Sequence, residues 1–219
     1  MDNDKDLNFI NEERRYWGKI YTDITYAISE ISPFISERDS KIRKYFSKSP
    51  ILKDYMKLLD SAEADCKKKS LFSMFKSSPS INLLQDFKAK NRENFKQLEK
   101  CSHCECLSCA FDCNFKKCSS CRSGSLICSC DKERVNVRKF DNFMLELTNN
   151  DTGISSKYNV LAVVEDCTLD NLYILLENFN NSNDKLVLYY YPGIKEDSYG
   201  EITDPNEFDF VVETYQNAE

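Results

Sequence analysis

The sequence predicts an α+β protein of three segments. These are a helical region at 1–100, a central Cys-rich, metal-bound module at 101–134, and an antiparallel β-meander at 135–219 that ends in a helix or, as the alternative, a last strand. Three observations carry this reading. Apolar residues recur at three- and four-residue steps in the first hundred positions and alternate after about residue 140. Nine of the eleven cysteines lie between Cys101 and Cys130. The net charge of −6 divides as +4 over 1–100, +1 over 101–134 and −11 over 135–219. With 219 residues, 41% of them apolar, the chain can bury a core.

In the first segment Ile10, Trp17, Ile20, Tyr21, Ile24, Ile28 and Ile31 form the stripe of one long helix. Ser32-Pro33, Ser49-Pro50 and Ser78-Pro79 read as three further helix starts, because serine accepts from a first-turn amide and proline has no amide to leave unbonded there. The stripe Ile51/Leu52, Tyr55, Leu58/Leu59, Ala62 supports the third helix. The set Ile81, Leu84, Phe87, Phe95, Leu98, interrupted at Asn91, supports the last. The basic stretch Lys67–Lys76, with Leu71, Phe72 and Phe75 interleaved, reads as a helix end and a loop tucked into the bundle; anionic-membrane and phosphate contacts are the other readings.

In the last segment Phe143, Leu145 and Leu147 alternate with Met144, Glu146 and Thr148, and Asn149–Gly153 has turn chemistry. Tyr158–Val164, Leu172–Leu176 and Leu186–Tyr191 read as further strands, the last two split by a turn at Asn180–Asp184. Four or five strands follow. Asp204-Pro205-Asn206-Glu207, ahead of Phe208, Phe210, Val211 and Tyr215, reads as a capped final helix with acidic residues at its positive end.

The cysteine ladder is Cys101-x2-Cys104-x-Cys106-x2-Cys109-x3-Cys113-x4-Cys118-x2-Cys121-x6-Cys128-x-Cys130. A pair two residues apart aims both sulfurs at one ion, and two pairs complete a tetrahedral site. Cys101/Cys104 with Cys118/Cys121, and Cys106/Cys109 with Cys128/Cys130, would hold two zinc ions in a cross-brace, leaving Cys113 to bridge, replace a ligand or stay a thiol. His103 is a substitute ligand or an outward-facing knuckle residue. The segment has few large apolar residues, so it needs metal to fold. Other readings of the ladder are an iron–sulfur cluster, a multi-metal thiolate store and disulfides. Cys66 and Cys167 read as ordinary packed residues.

Five scattered glycines leave no phosphate loop, a single histidine leaves little acid–base chemistry, and no zincin, nucleophile-elbow, Walker or dinucleotide motif occurs. No run of 18 apolar residues is present, and the acidic start lacks a secretory h-region, so the expected location is the cytoplasm. The expected function is a non-enzymatic interaction or regulatory adaptor whose main partner is another protein. Phe111, Phe115, Lys116, Lys117 and Arg122 are its candidate contact residues. Lys116, Lys117 and Arg122 also suit RNA or DNA, a reading opposed by the −11 charge of the adjoining segment. An iron–sulfur carrier or sensor is a further alternative, and a hydrolase or transferase the remaining one.

The order Phe143-x-Leu145-x-Leu147, Gly153, Tyr158-x-Val160-Leu161, Leu172-Tyr173-Ile174-Leu175-Leu176 and Ile202-Thr203-Asp204-Pro205-Asn206-Glu207-Phe208 resembles the YrzB-like family of small acidic bacterial domains of unknown function, over residues 140–216. The resemblance implies a bacterial cytosolic setting and an acidic β-rich module. It assigns no functional residue.

Overall fold

The computed structural model describes residues 2–69, 79–116, 124–150 and 152–218. The fold is α+β, with N-terminal helices and a C-terminal antiparallel sheet closed by a final helix. The chain divides into two compact units, Met1–Ser102 and His103–Glu219. All but the first two residues of the Cys-rich segment therefore lie in the unit that contains the sheet.

The helical unit is α1 (Asp2–Ile31), α2 (Glu37–Ile42), α3 (Lys44–Lys69), α4 (Pro79–Lys90) and α5 (Arg92–Ser102). The α1 stripe is buried as the spacing requires, at Ile10, Trp17, Ile20, Ile24 and Ile31, and α1 packs against α3 and α5, whose Leu52, Tyr55, Leu59 and Leu98 are buried too, as is Leu84 of α4. Trp17 and Tyr55 both pack edge-on against Phe95, at centroid distances of 4.6 and 5.1 Å. Glu13 accepts from the Tyr55 hydroxyl at 2.5 Å and from Lys88 at 2.8 Å, joining α1 to α3 and α4.

Two expected helix starts are corrected. Ser32-Pro33 closes α1, with the Ser32 amide donating to Ile28 at 3.0 Å, and the next helix is capped by Ser36, whose hydroxyl accepts from the Asp39 amide at 3.2 Å. Proline disfavours helical geometry in the residue before it, so here it marks an end. Ser49-Pro50 lies inside α3. Pro50 cannot bond the Phe46 carbonyl, but the Ser49 hydroxyl donates to that oxygen at 3.3 Å, so the acceptor is satisfied without breaking the helix. The third start holds, with α4 beginning at Pro79; Ser78, Leu71, Phe72, Phe75 and the rest of 70–78 lie outside the described residues. The interruption at Asn91 divides the expected last helix into two, α4 and α5, so five helices lie among the described residues of this unit where about four were expected.

Among the described residues, the second unit begins with a one-turn 3-10 helix, Glu105–Leu107, and contains seven strands. They are β1 (Ser125–Cys130), β2 (Val135–Phe140), β3 (Met144–Thr148), β4 (Ser155–Asp166), β5 (Asn171–Asn178), β6 (Asn181–Tyr191) and β7 (Ser198–Glu201). All pair antiparallel in one sheet of order β1-β2-β4-β5-β6-β7, with β3 also on β4. The expectation of four or five strands after residue 135 was too low, since β2 to β7 lie there. β1 and β2 were missed inside and beside the Cys-rich segment, where their short apolar runs are cut by cysteine, serine, asparagine and arginine, and the four-residue β7 was missed as well.

β2 and β3 lie end to end along β4. Val135 faces Asp166 and Lys139 faces Ala162, whereas Met144 faces Asn159 and Thr148 faces Ser155. The break between them falls at Asn142, which has φ 51°, and the β4–β5 ladder shifts register between Val160 and Ala162. Paired irregularities of this kind bend a sheet. The Asn-rich stretch is also corrected: the β5–β6 turn is at 179–180, and Asn181–Asp184 belongs to β6. Asn178 holds this end by donating to Asp184 at 2.8 Å.

Each face of the sheet has a core. One collects Val137, Ala162, Val164, Tyr173 and Leu175 beneath Val211 of α6 (Pro205–Gln216). The other collects Tyr158, Val160, Val163, Leu172, Ile174 and Leu176. Helix α6 is capped as its sequence predicts: the Asp204 carboxylate accepts from the Asn206 amide at 2.9 Å and Pro205 opens the first turn.

Glu207 anchors α6 by accepting from the hydroxyls of Tyr173 (2.5 Å) and Tyr189. The bond to Glu207 pushes Tyr189 up to about 12, and the bond to Glu99 pushes Tyr16 up to about 12. Burial, reinforced by Glu207 and Glu13 respectively, raises Tyr173 and Tyr55 as well. Each native state holds its proton where the unfolded chain loses it, so stability is full below the ordinary tyrosine value of 10 and falls as pH rises from there towards 12. Burial and the nearby Asp197 raise Tyr199 too, so in a tyrosinate absorbance titration these five of the twelve tyrosines should lag behind the rest. A single step near 10 for all twelve would remove this account.

Candidate functional site

The cysteine segment is positioned by the β1–β2 hairpin. Gly124, at φ 74°, turns the chain into β1, a conformation open to glycine at no steric cost. Asp131 closes the hairpin, its Oδ1 accepting from the amides of Glu133, Arg134 and Val135 at 2.8–2.9 Å. β1 thereby carries Cys128 and Cys130 along the edge of the sheet, with Ser129 facing Val137 and Cys130 facing Asn136.

Residues 103–116 pack back over this edge strand. The 3-10 turn lies against β1, and the Ile127 amide donates to the Cys104 sulfur at 3.4 Å. An amide aimed at sulfur is the contact that orients a metal thiolate and offsets its charge. Cys128 donates to the Val137 carbonyl at 3.4 Å; burial raises its thiol, and the nearby Cys104 and Glu105 add to the rise against Lys139. Burial pushes Cys130 up to about 11, opposed by a backbone hydrogen bond from Lys132, and the charges of Cys109 and Cys113 add to it.

The remaining ladder residues are placed as follows. Cys101 belongs to the helical unit, is buried at the end of α5 and accepts from Gln97 Nε2 at 3.4 Å. Cys106 is half-buried. Cys118 and Cys121 lie outside the described residues, and so do Lys117 and Arg122. Among the described residues no three ligand-type side chains are brought together tightly enough to hold one ion, and no disulfide joins the cysteines. The donor chemistry is sulfur throughout, which suits zinc or an iron–sulfur cluster better than oxygen-seeking cations.

Of the predicted contact residues, Phe115 is corrected. It is 5% exposed and packs inward, as a large apolar residue must in a segment so poor in them. Phe111 is 60% exposed with Lys132 Nζ 5.4 Å from its ring centroid, and Lys116 is exposed. Sequence reasoning missed Lys132, whose approach to Phe111 depends on the hairpin.

No protein-family model, curated protein or solved structure matches the chain. Among the described residues no helix is long and apolar enough to cross a membrane.

Proposed function

We propose that the protein is a non-enzymatic, zinc-binding adaptor of the cytoplasm. In this reading thiolate sites drawn from residues 101–130 fasten the Cys-rich segment to the edge of an acidic sheet and so present Phe111, Lys132 and Lys116 to a protein partner. The observation that carries it is the Ile127 amide on the Cys104 sulfur, which seats the first half of the ladder on the strand bearing the last two cysteines. A closed all-thiolate site has no open coordination position, so it scaffolds and does not hydrolyse. Cys118 and Cys121 complete the donor count in this reading, and an RNA or DNA partner is the alternative for the same exposed residues.

The test is elemental analysis of anaerobically purified protein, together with its visible spectrum. About two zinc ions per chain without a visible band are expected, given four thiolates per ion. Cys104→Ser and Cys130→Ser should each lower that content by about one ion if the two sulfurs serve separate sites. Iron with matching sulfide, or metal-free protein that is fully folded, would overturn the reading.

A further inference from the structure

The sheet face opposite α6 contains a cleft of about 220 Å³ with no role in the metal reading. Its floor is polar where a sheet interior is ordinarily apolar: Asn136, Arg138 and Glu165, at 2, 8 and 3% exposure, all line it. Register explains the grouping. Asn136 faces Glu165 across β2 and β4, Arg138 faces Val163, and Glu165 faces Leu172 across β4 and β5. Asn136 Nδ2 donates to Glu165 Oε2 at 3.4 Å. Phe140, Phe143 and Tyr190 supply aromatic walls.

The β6–β7 loop forms the far side and is itself a built structure. Asp197 accepts from the Tyr190 hydroxyl at 2.9 Å and from the Gly193 amide at 3.0 Å. A Cβ on Gly193 would come within 1.8 Å of the Glu196 carbonyl oxygen, so the loop closes over the cleft only with glycine there. The loop residues 192–197 are themselves exposed.

We propose that this cleft binds a small zwitterion, a free α-amino acid with an apolar side chain. Its carboxylate would meet Arg138, its ammonium Glu165 and its side chain Phe140, Phe143 and Leu172. A guanidinium offers five donors and a carboxylate about four acceptor sites, so both can bind a ligand alongside their protein partners. One buried cation and one buried anion on the same floor match a ligand with both charges and reject one with either alone. The volume is below the roughly 300–1,000 Å³ of cofactor and drug-sized sites. It suits one amino acid and is too small for a nucleotide.

The test is titration calorimetry of the full chain with phenylalanine, leucine, glycine, N-acetylphenylalanine and phenylalanine amide. Phenylalanine or leucine should bind, with glycine and both blocked derivatives at least tenfold weaker. Arg138→Gln and Glu165→Gln should each weaken binding tenfold or more. Should either variant unfold, Gly193→Ala and Phe143→Ala, which alter the exposed loop and the rim, should still weaken binding about fivefold with an unchanged circular dichroism spectrum. The inference is overturned if no free amino acid binds, if the blocked derivatives bind equally well, or if folded variants bind like the native chain. Since the titration reads amino-acid binding and not metal content, its failure leaves the adaptor reading standing.

Discussion

Replacing Asp166 by alanine is expected to cost the sheet unit about 3–5 kcal/mol, the range for breaking one partner out of a buried ion pair. Asp166 is completely buried and serves two elements at once. Its Oδ1 accepts from the amides of Thr168 and Leu169 at 2.9 and 3.1 Å, shaping the β4–β5 turn, in which Asp170 has φ 56°. Its Oδ2 accepts from Arg134 Nε and Nη2 at 2.8 and 2.7 Å, tying that turn to the start of β2. Arg134 also lies over Phe210 of α6, its Cζ 4.2 Å from the ring centroid. Arg134 is 46% exposed and regains water when its partner is removed, so the loss should fall at the lower end of the range. Asp166→Asn keeps an oxygen for the turn amides and should lose about half as much. Urea-dependent amide exchange of peptides covering 160–178 reads both variants. An alanine variant within about 0.5 kcal/mol of the native chain would place the stability of this corner elsewhere.

Removal of the Glu207 carboxylate is the second large effect, expected at about 2–3 kcal/mol because two tyrosine hydroxyls lose their acceptor together. Tyr173 is wholly buried, so its hydroxyl cannot turn to water, and Asn171 Nδ2, which donates to Glu207 at 3.3 Å, loses that partner as well. Helix α6 would keep only its apolar contacts through Val211, Phe210 and Tyr215 and the approach of Lys139 to Tyr215. Glu207→Gln retains one acceptor oxygen and should recover more than half of the loss. Near-ultraviolet circular dichroism, which senses the ring pair Tyr173–Tyr189 at 5.4 Å, reports the loosening directly. If the glutamine variant is as unstable as the alanine variant, the charge and not the acceptor geometry holds the helix.

These two carboxylates show where sequence reading stops. Glu207 is legible as an acidic residue in the first turn of a capped helix, because Asp204, Pro205 and Glu207 are local signals. Its stronger role, as the shared acceptor of Tyr173 and Tyr189, joins residues 34 and 18 positions away and has no local signature. Asp166 carries no comparable local signal.

The helix stripes, the interruption at Asn91, the strand character of 144–148, 158–164, 172–176 and 186–191 and the cap of the last helix were determined by the sequence alone, since each follows from periodicity or capping within a few residues. The cysteines were equally plain as a sulfur-rich donor set. Tertiary structure decided that Pro50 is tolerated inside α3, because Ser49 takes over the orphaned carbonyl, and that Phe115 turns inward. It also decided that the amide of Ile127 in β1 donates to the Cys104 sulfur, a contact between residues 23 positions apart. The polar floor of the cleft is the clearest case. Alternation along β2 and β4 places Asn136, Arg138 and Glu165 on one face, but a strand pattern specifies only which residues share a face. Whether that face meets water or an interior depends on the bend of the sheet and on a loop more than fifty residues away from β2 folding across it.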